Sequence, residues 1–237
     1  MKLQLPIFAL FAMAACVQAQ AQDPFDYHCA DIGILQVKQI QTEVGITEAQ
    51  RKAMNDAAAT HKTRLTTYDA QQKAAKTKDT QPQTQAKLRG YFDELKKGVL
   101  TALSPVQLKR LRELTLQRAG LLALLDDLVA KKIGLTGAPY ENFRKTFSDG
   151  AKQAGDIERT NLKPIFDKYS AKRPKDDAER KQLESQMRGE LDAASKRIAP
   201  QIQQLQSATQ QKLIGILTAT QKTAWQALLG KPLKVAK

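Results

Sequence analysis

Gly45-Ile46-Thr47-Glu48-Ala49-Gln50 places an aliphatic residue before a hydroxyl and a glutamine three positions after it. The arrangement returns in Leu103-Ser104-Pro105-Val106-Gln107 and in Leu217-Thr218-Ala219-Thr220-Gln221. A related stretch, Gly134-Leu135-Thr136-Gly137-Ala138-Pro139, keeps the hydroxyl and carries proline where the others carry glutamine. The pattern is a capping box: the hydroxyl oxygen accepts from the amide three residues on, and the glutamine side chain returns a bond to the capping residue's own amide. Each copy therefore marks a helix start. Gly45 and Gly134 stand two residues before Thr47 and Thr136, where they close a preceding helix. At matching offsets Ser104 and Thr218 are followed by Leu111 and Trp225, then by Leu114 and Leu228, on one helical face.

Thr47 lies 57 residues before Ser104, and Thr136 lies 82 before Thr218. Each interval has room for an arm out and an arm back, and an arm of about forty residues reaches roughly 60 Å. The expectation is an all-α fold of elongated helical hairpins, two duplicated halves with long antiparallel arms. The halves are residues 22–120 and 121–237, with one continuous domain as the alternative division. Pro105 falls at the first helical position, where its missing amide is harmless, and Leu103 can staple to Leu108. Pro139 removes the amide that Thr136 would cap, so that start leans on Leu135 against Tyr140.

Between the boxes, residues 23–31 read as an irregular lead-in, followed by a short helix with Ile34, Val37 and Val44 near one face. A polar helix then runs to about Ala75, its apolar stripe limited to Met54, Leu65, Tyr68 and alanines. Lys76 to Gln85 reads as a loop because Pro82 disfavours helix at Gln81. Helix resumes with Leu88, Tyr91, Phe92, Leu95 and Val99. Gly120 interrupts the helix opened by Ser104, and Leu121 to Ile133 is apolar enough for burial on most sides. A helix from about Tyr140, bent at Gly150, Gly155 or Pro164, ends at Arg173-Pro174. The next runs from Lys175 to Leu217, with Pro200 as a kink and Leu183, Met187, Leu191 and Ile198 marking its seam. Trp225 is a core plug between the halves.

Hydrophobic residues make up 42% of the chain but aromatics only 5%, so a core must be built mainly from Leu, Ile, Ala and Val. With no convincing alternating strand pattern, that composition favours helices. Lys2, the apolar stretch Leu3 to Val17 and the small residues Ala19 and Ala21 read as an export signal over residues 1–21, leaving a mature chain that begins near Gln20 or Gln22. The rival is lipidation of Cys16 in Ala14-Ala15-Cys16, where Met13 stands in place of the usual leucine. In both cases Cys29 is left as a lone thiol. The formal net charge of +14 falls to +13 without Lys2. Export turns the expected polyanionic partner away from nucleic acid and toward anionic lipid, envelope polymer or acidic unfolded protein.

No arrangement for catalysis stands out: the chain has two histidines, no glycine-rich phosphate loop and no G-x-S-x-G or H-E-x-x-H. An enzyme is not expected, and no cofactor is implied. Asp126-Asp127 and Asp176-Asp177 are adjacent pairs that do not share a helix face and read as helix caps or surface charges. Asp26, His28 and Cys29 form a weak metal candidate, because thiolate, imidazole and carboxylate suit zinc or copper. Lys109, Arg110, Arg112 and Arg118, interleaved with Leu108, Leu111 and Leu114, suit capture of acidic unfolded segments; the structural alternative is a solvated helix face.

Thr47, Gln50, Ser104, Gln107, Thr136, Thr218 and Gln221, with Trp225 and Leu228-Leu229-Gly230, carry a resemblance to the LTxxQ-motif proteins of the bacterial envelope, the Spy/CpxP-like group, over about residues 32–232. The resemblance implies a periplasmic or secreted, curved and often dimeric helical cradle, an ATP-independent chaperone or envelope-stress protein that binds unfolded or damaged envelope proteins. Two rival readings follow from the residues: a structural, envelope-associating basic protein that binds anionic lipid or polymer, and a metal-responsive sensor.

Overall fold

The computed structural model describes residues 22–75 and 77–233. The expected export signal, Cys16 included, lies outside the described residues. Those residues are all-α, with nine α-helices, two 3-10 helices and no strand among them. In chain order they are α1 (Pro24–Cys29), a 3-10 turn (Ile32–Gln36), α2 (Lys38–Val44), α3 (Glu48–Ala74), α4 (Gln81–Thr101) and α5 (Pro105–Ala119). A second 3-10 helix (Gly120–Leu125), α6 (Asp127–Lys132), α7 (Gly137–Ser170), α8 (Asp177–Ile216) and α9 (Ala219–Leu229) follow. The chain divides into two compact units, one taking in residues up to His28 and Val44–Lys109, the other Cys29–Glu43 and the residues from Arg110 on.

Three of the boxes close in both directions. The amides of Gln50, Gln107 and Gln221 donate to the hydroxyls of Thr47, Ser104 and Thr218 at 3.2, 3.3 and 3.2 Å. The amides of Thr47, Ser104 and Thr218 donate to the glutamine Oε1 atoms at 3.0, 2.9 and 3.0 Å. Thr136 makes no side-chain cap bond, as Pro139 requires, and α7 begins at Gly137 rather than at Tyr140. Asp126 and Asp176 do cap helices, accepting from Leu128 and from Glu179 at 2.9 and 2.8 Å.

A start that the sequence reading missed is Thr80, whose amide donates to Gln83 Oε1 at 2.9 Å. The loop expected as far as Gln85 therefore ends at Thr80, and Pro82 sits in the first turn of α4, where no intrahelical donor is required. Other expectations also change. The lead-in is helical over Pro24–Cys29. Leu121 to Ile133 splits into the 3-10 helix and α6, and its Leu122 and Leu128 are 53% and 47% exposed. Val37 and Phe92, expected on buried faces, are about half exposed. Pro164 and Pro200 each remove one ladder bond without ending α7 or α8.

In the first unit α3 packs on α4. Met54, Ala57, His61, Leu65, Tyr68 and Gln72, spaced by threes and fours, are the less exposed side of α3. The approach is close: a Cβ at Gly98 would meet that of Ala57 at 3.1 Å. Around the turn between these helices the Asp79 carboxylate accepts from the Tyr68 hydroxyl at 2.8 Å, from Gln72 at 2.9 Å and from Lys87 at 2.7 Å. Lys87, and after it the Tyr68 hydroxyl, hold that carboxyl below its ordinary value. At the other end, the Gln50 and Gln107 side-chain amides donate to each other's oxygens at 2.7 and 3.0 Å. Gln50 also donates to Ala102 O at 2.8 Å, and Gln107 to Gly45 O at 2.7 Å.

The second unit buries Ile34, Leu111, Leu114, Leu124, Leu135, Phe143, Leu213 and Trp225. Burial, with Asp127 at 2.7 Å, pushes the Tyr140 phenol up to about 12. The long pair α7 and α8 is antiparallel: Tyr169 meets Glu190, Asn161 meets Arg197, and Gly150 meets Thr209. Gly150 is required there, since a Cβ would lie 2.6 Å from the Thr209 hydroxyl. The capping bonds set an expected outcome in chemical denaturation. Ser104→Ala lowers stability by about 1 kcal/mol, while Thr136→Ala stays within about 0.3 kcal/mol because it has no cap bond to lose. Equal losses at both positions would contradict the capping account.

Candidate functional site

The seam between α7 and α8 is thin on both sides. On α8 it is one side chain per turn, running through Leu183, Met187, Leu191, Ala194, Ile198, Ile202, Leu205, Thr209 and Leu213. On α7 it includes Phe147, Gly150, Ala154, Leu162, Phe166 and Tyr169. The seam opens into three recesses, of which the basal one is lined by the small residues Gly150 and Ala154. One of about 260 Å³ lies at the tip, one of about 530 Å³ midway, and one of about 470 Å³ at the base.

The tip recess combines an apolar floor with cations. Phe166, Tyr169, Pro174, Leu183 and Met187 line it together with Lys172, Arg180 and Glu184. Phe166 remains 49% exposed although it belongs to the seam. Tyr169 is held in place: its hydroxyl donates to Glu190 Oε1 at 2.9 Å, and the Lys168 ammonium lies 2.6 Å from the same oxygen. Lys172 and Lys168 lie 4.8 and 5.2 Å from the Tyr169 ring centroid. Lys168, and after it the Tyr169 hydroxyl, hold the Glu190 carboxyl below its ordinary value, and burial raises the Tyr169 phenol. Such a surface can seat an apolar side chain while the ammonium groups attract an acidic neighbour. Leu183 and Met187 were expected on the seam of their own helix, but only the antiparallel register brings Phe166 beside them around one recess.

The predicted basic cluster divides. Lys109 and Arg118 are exposed, as a solvated face requires. Arg112 is only 5% exposed and donates to the Leu228 carbonyl. Arg110 bonds to Glu43 and Glu113 at 2.5 and 2.9 Å and to Lys231 O at 2.7 Å. Gln117 adds bonds to Leu229 O and Lys231 O at 2.6 and 2.7 Å. The expectation of four cations together, whether for capture or as a solvated face, is thus corrected: Arg110 and Arg112 fix the end of α9 and the segment after it. Gly230 follows there at φ +63°, and a side chain at that position would run into the Glu113 carboxylate.

The capping residues Thr47, Gln50, Ser104, Gln107, Thr218 and Gln221 sit at helix starts. In the second unit Gln221 donates to Gly134 O at 2.9 Å, in the manner of Gln107 to Gly45. Of the metal candidates, Asp26 is buried and His28 exposed on the same short helix, so these two side chains diverge. No group of three or more His, Cys, Asp or Glu gathers as a ligand set among the described residues. His61 donates through Nδ1 to Tyr91 O at 3.1 Å, which ties its ring to α4.

Two outcomes follow from these contacts. Arg112→Met lowers stability by about 2 kcal/mol, because it strands the Leu228 carbonyl, while Lys109→Gln and Arg118→Gln each stay within about 0.5 kcal/mol; thermal or chemical denaturation checks this. The depressed Glu190 carboxyl contributes stability that is complete above the ordinary value of 4.5 and is lost as pH falls through its lower folded value. Glu190→Gln should flatten the acid limb of a stability–pH curve, and an unchanged limb would contradict the assignment. The chain matches no protein-family model, no curated protein and no solved structure.

Proposed function

We propose that this chain is an exported, ATP-independent binder of unfolded or damaged envelope proteins, and that the α7–α8 tip is its holding surface. The observation that carries the reading is the half-exposed Phe166 beside Leu183 and Met187, with Lys172 and Arg180 lining the same recess. A folded helical pair gains by covering an aromatic of that size, so leaving it open serves contact with something else. The lysines give the encounter speed and salt dependence, and the shallow apolar seat gives weak, reversible retention. The resemblance of the capping boxes to the Spy/CpxP-like proteins, and the signal-like Leu3 to Val17 stretch, support the same reading.

The formal net charge of +14 favours a second reading, association with anionic lipid or polymer. One experiment separates the two: light scattering of an unrelated unfolding protein at low and high salt, with wild type and a Phe166→Ser/Met187→Ser variant. Expected is suppression of aggregation by wild type, weaker at high salt, and its reduction by about tenfold in effective concentration in the variant. No suppression by wild type, together with saturable binding to anionic vesicles that the variant retains, would give the case to the second reading.

A further inference from the structure

Each long helix pair keeps a single buried side chain in its outer part, and both are tyrosines. Among the described residues 48–98 only Tyr68 is buried, and among residues 151–193 only Tyr169. Each hydroxyl donates to a carboxylate from beyond its own helix, Tyr68 to Asp79 Oδ2 at 2.8 Å and Tyr169 to Glu190 Oε1 at 2.9 Å. The same oxygen also takes an ammonium, that of Lys87 at 2.7 Å or of Lys168 at 2.6 Å. Those ammonium groups lie 5.5 and 5.2 Å from the centroids of the tyrosine rings they serve. Lys87 comes from the helix opposite its tyrosine and Lys168 stands next to Tyr169, so the two units reach one chemistry by different sequence routes.

Hydroxyl and ammonium both donate to one oxygen, and at Asp79 the Gln72 amide joins them, so the arrangement depends on an ionised carboxylate. Protonation removes the charge that holds the ammonium and roughly halves the strength of each bond. Little buried apolar surface then opposes separation of the helices at that level. Lys87, then Tyr68, hold the Asp79 carboxyl below its ordinary value of 3.8, and Lys168, then Tyr169, hold that of Glu190 below 4.5. The stability each contributes is complete above those ordinary values and is lost as pH falls through the lower folded ones. Lys172 also faces Glu190. Asp69, Asp167 and Asp177 pair with Lys73, Lys163 and Arg180 along their own helices, and Asp176 caps α8. Away from the Asp79 turn, Arg64 pairs with Glu94 between α3 and α4. We propose that each helix pair ends in a tyrosine–carboxylate–lysine latch that holds the two helices together at neutral pH and lets the end open in acid while the rest of the unit stays folded.

The test is hydrogen exchange of the full chain, read by mass spectrometry at about pH 7 and about pH 2.5 and corrected for intrinsic rates. Expected in the wild type is about a tenfold loss of protection in acid over residues 66–90 and 165–190, as the loss of one charge-assisted bond implies. Protection around Leu111, Leu124 and Phe143 is retained. At neutral pH Asp79→Asn reproduces the loss at its own end and leaves the other end unchanged, and Glu190→Gln does the reverse; the end that carries the substitution then no longer responds to acid. Asp69→Asn removes a carboxylate that pairs only along α3, and it behaves as wild type. Should Asp79→Asn fail to fold, Lys87→Met tests the same pair with the carboxylate in place, and the acid response of that end shrinks. Unchanged protection of either end in acid overturns the proposal. So does a loss that reaches Leu111, Leu124 and Phe143 at the same pH, or an effect of Asp69→Asn equal to that of Asp79→Asn.

Discussion

The bond that the first unit depends on is the exchange of amides between Gln50 and Gln107. A helix pair whose seam is one side chain wide buries little apolar surface per turn, while each ordered residue still loses backbone entropy. Polar closure at the ends makes up part of that difference. Each glutamine caps its own helix through Oε1 and uses Nε2 to reach the other box, so one side chain fixes a helix start and the register between two starts. The Asp79 cluster does the corresponding work around the α3–α4 turn, where Tyr68, Gln72 and Lys87 converge on one carboxylate.

The second unit keeps only part of this arrangement. Pro139 occupies the place of Gln50 relative to its box, so Gln221 reaches Gly134 O but has no opposing amide to exchange with. Its stability rests more on the core around Leu124, Leu135, Phe143 and Trp225, and on the cations that hold the segment after α9. Away from that core, α7 and α8 extend as a pair too sparsely furnished to close. At the base of their seam the recess is lined by Gly150, Ala151 and Ala154, where larger side chains would fill more of the space.

Charge is divided between structure and surface in a way that sequence spacing does not reveal. Lys109, Arg110, Arg112 and Arg118 are near neighbours on one helix, yet two are spent on internal carbonyls and carboxylates and two face water. What distinguishes them is the presence of Glu43 and of the carbonyls of Leu228 and Lys231, none of them close in sequence. Exposed cations also stand at the α7–α8 tip, in the run Lys172-Arg173-Pro174-Lys175, which the sequence marks only as a helix break.

By itself the sequence determined what is decided within about four residues. Hydroxyl and glutamine at fixed spacing set where α3, α5 and α9 begin, Pro139 removed the cap from α7, and Asp126 and Asp176 capped their helices. Helical periodicity and the lack of strand patterns gave the all-α class for the same local reason. One local start, Thr80 with Gln83, was legible but was masked by Pro82 being read as a breaker. Tertiary structure decided whatever depends on a distant partner: the second use of the glutamine amides, the burial of Arg112, the exposure of Leu122 and Phe166, and the recesses. A capping bond is closed by the backbone that carries it, whereas burial and empty volume are set by whichever helix arrives opposite, and that helix lies tens of residues away along the chain.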